Sequence, residues 1–103
     1  MNEYWLEEAR KDMLFLIDEM EKHWKKYYNE EGDKQYLRGL ISGSADCVHL
    51  FQEEIISPET TLENILSYKI NDDITNDFIN GHNDSVNFIY REFLGKLSET
   101  ETK

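Results

Sequence analysis

An aspartate and a histidine three residues apart on a helix share a face, and the chain has such a pair at Asp46 and His49. A second set, His82 and Asp84, lies near the matching place in a later helix. Two carboxylates and two imidazoles brought face to face would suit a divalent cation or a hydrolytic water. The two sets do not agree position by position, because His49 aligns with Asn87 and His82 with Ser44. Exposed polar residues beside a glycine is the plainer reading, and no metal is assigned.

Cys47 is the only cysteine. A nucleophilic thiol needs a lowered pKa and a paired base. His49, two residues on, points to a different part of the helix, so Cys47 reads as a small core residue. The acidic pairs Glu7-Glu8 and Glu53-Glu54 and the run Glu30-Glu31-Gly32-Asp33 lack the E-x-x-E and E-x-x-D spacing with which all-helical pyrophosphatases hold magnesium. Gly39-x-x-x-Gly43 lies in a helical pattern without a following Lys-Ser/Thr, so it is not a phosphate loop. The expectation is a protein that is not an enzyme and carries no cofactor.

The helices that would position these residues follow from the apolar spacing. Leu6, Met13, Met20 and Tyr27 recur by sevens, with Ala9, Leu16 and His23 as companions and Ile17 and Trp24 widening the stripe, which predicts a long helix from Glu3 to Glu30 stopped by Gly32. Asp33 is the expected cap of a second helix, Lys34 to Ile55, with Leu37, Leu40, Ile41, Ser44, Ala45, Val48 and Ile55 on one face. Ser57-Pro58-Glu59 both ends that helix and starts a short third one carrying Leu62, Ile65 and Leu66. A last helix is expected from Asp73 to Leu97, with Ile74, Phe78, Val86, Ile89, Phe93 and Leu97 inward. Asn80-Gly81-His82-Asn83 is poor helix sequence, and a break there with a new cap at Asp84 is the alternative. Residues 1–97 make one domain, and 98–103 a loose tail.

An internal repeat favours the unbroken helix. Ile41, Gly43, Asp46 and Val48 recur as Ile79, Gly81, Asp84 and Val86 at a constant offset of 38, aligning residues 41–56 with 79–94. Each copy has a glycine inside a helix, which costs about 1 kcal/mol relative to alanine and requires a compensating reason. One reason is close packing of two helices, since small residues let backbones approach. The other is approach of backbone to a ligand, which would place the pocket of a nucleotide-type sponge between the second and fourth helices. The predicted architecture is an all-α bundle of four helices with a long first helix.

The net charge is −11. Residues 1–33 hold ten acids against five bases and residues 59–103 nine against four, while residues 34–58 are almost balanced. Such a surface repels nucleic acid and anionic membrane, so a partner chosen by charge is basic. The Trp5, Trp24, Tyr27, Tyr28 and Tyr36 group beside Lys22, Lys25 and Lys26 therefore reads as packing under lysine stems rather than base stacking. A lone cysteine and an acidic, amphipathic N-terminus point to the cytoplasm. The apolar run Met13 to Ile17 surrounds the first helix with apolar side chains, and a homodimer or higher oligomer through that helix is expected.

The string Tyr36-Leu37-x-Gly39-x-x-x-Gly43-x-x-Asp46-x-Val48-x-Leu50-Phe51 resembles small helical accessory proteins of phages and mobile elements of low-GC Gram-positive bacteria. The resemblance covers about sixteen residues. It implies a non-enzymatic inhibitor, regulator or binder of a host or defence component, acting in the host cytoplasm, and assigns no residue a role. The candidate binding residues come instead from the repeat: Gly43, Asp46, His49, Gly81, His82 and Asp84, with the two aspartates flanking one crevice. The acidic face of the first helix (Glu7, Glu8, Asp18 and Glu21) is the second candidate.

Overall fold

The four apolar stripes become four helices in a computed structural model that describes residues 3–28, 33–55, 57–71 and 75–101: α1 (Glu3–Tyr27), α2 (Lys34–Gln52), α3 (Pro58–Ser67) and α4 (Asp77–Glu101). The described residues contain no strand. No helix among them is long and apolar enough to cross a membrane.

α2 and α4 form the centre and run parallel. Gly39 of α2 faces Phe78 and His82 of α4, Gly43 faces His82 and Ser85, and Phe51 packs edge-on against Phe93 with ring centroids 5.2 Å apart. Parallel neighbours cannot be joined by a tight turn, so the chain returns through the α3 segment, which packs mainly on α4. α1 runs antiparallel to both: near its start Arg10 reaches Phe51, and near its end Glu21 meets Ser44 and Trp24 meets Phe88. The core is Met13 and Ile17 of α1, Cys47 and Phe51 of α2, Ile65 of α3, and Val86, Ile89 and Phe93 of α4, with Ile55 added from the connection. Each fully buried Ile, Phe or Met contributes about 1.5–3 kcal/mol relative to its exposed state. His23, next to Trp24, and Tyr27, about one turn beyond it, were placed on the inward stripe by spacing but are exposed, where α1 reaches the end of its contact.

Helix ends depart from the sequence pattern where caps and tertiary contacts outweigh periodicity. α1 ends at Tyr27; the expected end at Glu30 and the Gly32 stop lie outside the described residues, as do the Asp73 start and Ile74. Asp33 makes no side-chain capping bond. α2 stops at Gln52 because Glu53 is extended (φ −111, ψ 163), and Ile55 reaches the core from non-helical backbone. Arg10 Nη1 donates to Phe51 O at 2.8 Å, satisfying one of the carbonyls exposed at that helix end. Ser57 caps α3 as expected, its Oγ accepting from Thr60 N at 3.2 Å ahead of Pro58.

α4 starts four residues later than Asp73, behind Asn76, whose Oδ1 accepts from Ile79 N at 3.1 Å. It is unbroken through Asn80-Gly81-His82-Asn83. It also continues past Leu97 to Glu101, through most of the segment expected to be a loose tail. Leu97 is buried and anchors the last turns, and each further residue then adds a hydrogen bond to an existing helix.

Candidate functional site

Gly39, Gly43 and Gly81 are consumed by the contact between α2 and α4. A Cβ on Gly39 would stand 2.1 Å from Phe78 O, and one on Gly81 2.1 Å from Tyr36 O. A Cβ on Gly43 would stand 2.2 Å from Ser85 Oγ and 2.5 Å from His82 O. Backbone meets backbone, and no room remains at these positions for the ligand of a sponge.

The contact is internally symmetric, in a register one turn on from the repeat. Gly39 meets Phe78 and His82, while Gly81 meets Tyr36 and Leu40, so each glycine sees the other helix at equivalent positions. The equivalence is Gly39 with Gly81 and Phe51 with Phe93, an offset of 42. Gly43 and Gly81, matched at offset 38, are not paired; Gly43 lies opposite Ser85.

Of the six candidate residues, the structure joins Asp46 and His82. Asp46 Oδ2 lies 3.1 Å from His82 Nε2, and the imidazole is buried, tilted against Phe78. Its Nδ1 faces Asn83 Oδ1 at 3.4 Å. Asp84 does not join them: its Oδ2 accepts from the Tyr36 hydroxyl at 2.6 Å, so the two aspartates have separate partners rather than a shared crevice. Burial, then the Asp84 carboxylate, raises the Tyr36 phenol far above its usual range. Asp84 also lines a hollow of about 310 Å³ with Asn87, Tyr90 and Arg91. His49 is exposed and turns the other way, toward α1. Burial, reinforced by Asp46, pushes the Cys47 thiol up to about 12, which keeps it protonated at neutral pH. Among the described residues no cluster of three His, Cys, Asp or Glu side chains is placed to hold a metal ion.

His49 opens a different site. Between α1 and α2 lies a hollow of about 440 Å³ whose floor is Leu14, Ile17 and Val48 and whose rim is Asp18, Glu21, Ala45 and His49. Glu21 is contacted from below: the hydroxyl of fully buried Ser44 has one proton and two acceptors in reach, Glu21 Oε1 at 2.9 Å and Ile41 O at 3.0 Å. Asp18 is paired with Lys22 at 3.1 Å, an exposed bridge of little energetic weight. Sequence reading placed Glu21 on the acidic face of the first helix and Ser44 on the inward stripe of the second. It had no means of joining them, since 23 residues separate the pair.

Asn83 carries a second contact without a sequence signal. Its side-chain oxygen accepts from Ile70 N and its nitrogen donates to Ile70 O, both at 2.8 Å, in the manner of a strand neighbour. This fixes the end of the α3 segment to α4.

No family model, curated protein or solved structure matches the chain.

Proposed function

We propose that the chain is a non-enzymatic binding protein whose acidic helical surface takes a basic protein partner, as an inhibitor or regulator would. The observation that supports the reading is the hollow between α1 and α2, where an apolar floor meets an acidic rim on a chain of net charge −11. Apolar contact holds a partner and charge selects it, and clefts of one sign speed encounter with the opposite sign. The direct test is fluorescence anisotropy with two labelled amphipathic peptides, one of leucine and lysine and one of leucine and glutamate. The basic peptide binds at low ionic strength and loses affinity as salt is added; equal binding of both peptides, or of neither, overturns the reading.

Phe15 favours a second reading, in which α1 also mediates self-association. Its ring is 69 % exposed on α1, where spacing predicted apolar side chains all round. Light scattering across a concentration series decides it, since a monomer mass at every concentration removes α1 as a self-interface.

A further inference from the structure

We infer that the hollow between α1 and α2 receives a single lysine or arginine side chain of the partner, with its cationic head on Glu21. This rests on the reading of the chain as a binder of basic proteins and names the contact at its centre.

Three features define the occupant. The floor, where Leu14 and Val48 are partly exposed over buried Ile17, offers apolar surface for the methylene stem of a long side chain. The head group meets Glu21, whose Oε1 lies 2.9 Å from the buried Ser44 hydroxyl, a donor it shares with Ile41 O at 3.0 Å. Glu21 Oε2 makes no hydrogen bond among the described residues and is the oxygen left to accept one. Asp18 adds negative charge at the mouth, although its own carboxylate is engaged by Lys22. A stem that is apolar and a tip that is positive describe lysine and arginine among protein side chains.

Ala45 sits at the edge of the hollow and is exposed, so a longer side chain there fills the space without entering the core. The experiment uses the labelled leucine–lysine peptide on the full chain and three variants, each shown to be folded by circular dichroism. Glu21→Gln keeps an acceptor for Ser44 and removes the charge. Ala45→Arg plugs the hollow with a cation of its own. Glu63→Gln removes one charge from exposed α3, away from the hollow. The expected result is about tenfold weaker binding for Glu21→Gln and for Ala45→Arg, and a change within about twofold for Glu63→Gln. Equal weakening by Glu21→Gln and Glu63→Gln overturns the inference and leaves the basic-partner reading standing. Displacement of the peptide by free n-butylamine at equal concentration also overturns it, assigning the hollow to a small amine. Failure of the wild-type chain to bind the basic peptide at all overturns both.

Discussion

Asp46 Oδ2 and His82 Nε2 lie 3.1 Å apart across the α2–α4 contact, and the histidine is buried while the aspartate is half exposed. The pair closes the side of a helix crossing built on three glycines. It therefore ties the two helices together. Asp46→Asn retains an acceptor for the imidazole and is expected to cost less than about 1 kcal/mol. His82→Ala empties a buried site and is expected to cost about 2–4 kcal/mol. Urea unfolding of both variants checks the ordering. The double variant Asp46→Asn with Asp84→Asn should bind the leucine–lysine peptide within about twofold of wild type, because neither carboxylate lines the α1–α2 hollow.

Gly39 and Gly95 provide an internal control for the helix crossing. A Cβ at Gly39 meets Phe78 O at 2.1 Å and His82 N at 2.7 Å, and neither backbone atom can move without separating the helices. A Cβ at Gly95, in the same helix as Gly81, meets nothing within 4 Å. Gly39→Ala should lower stability by at least about 1–3 kcal/mol. Gly95→Ala should raise it by about 0.5–1 kcal/mol, since alanine restricts the unfolded chain and suits a helix better. Opposite signs in thermal or urea unfolding are the outcome that supports the crossing, and equal signs contradict it.

Asn83 holds both polar groups of Ile70 in one side chain. Asn83→Leu fills a similar volume and leaves those groups to solvent. The expected loss is about 1–3 kcal/mol, with faster hydrogen exchange at the Ile70 amide and little change at the centre of α2. Unchanged exchange at Ile70 would show that the tether is not needed.

Cys47 gives a pH dependence with a defined sign. Its thiol, ordinarily near 9.0, is pushed up to about 12 by burial and then by Asp46. The folded state therefore keeps a proton that the unfolded state has lost between those values. The stability associated with the neutral thiol is complete below about 9 and declines as the pH rises toward about 12. Tyr36 is shifted in the same direction and adds to the decline. Unfolding free energy measured across this range should fall more steeply for wild type than for Cys47→Ala. At neutral pH a thiol reagent should label Cys47 only after denaturant is added.

Much of the architecture was legible in the amino-acid sequence because it depends on local order. Apolar spacing alone defined four helices, and Ser57-Pro58 set the start of α3 through a cap and a proline that need only their neighbours. Glycines inside two helices announced a close contact, since only a partner backbone or a ligand offsets their cost. Which of those it was, and in what register, was decided by tertiary structure: α2 and α4 meet with Gly39 opposite Gly81, and the 38-residue similarity that relates Gly43 to Gly81 does not describe the contact. α4 runs through Asn80-Gly81 as the repeat led one to expect, against local propensity, and packing carried it past Leu97, where a tail was expected. The hollow under Glu21 and Ser44 needed two helices brought side by side from distant parts of the chain. A spacing rule reports which residues share a face of one helix, and the face that meets it is chosen only when the core closes.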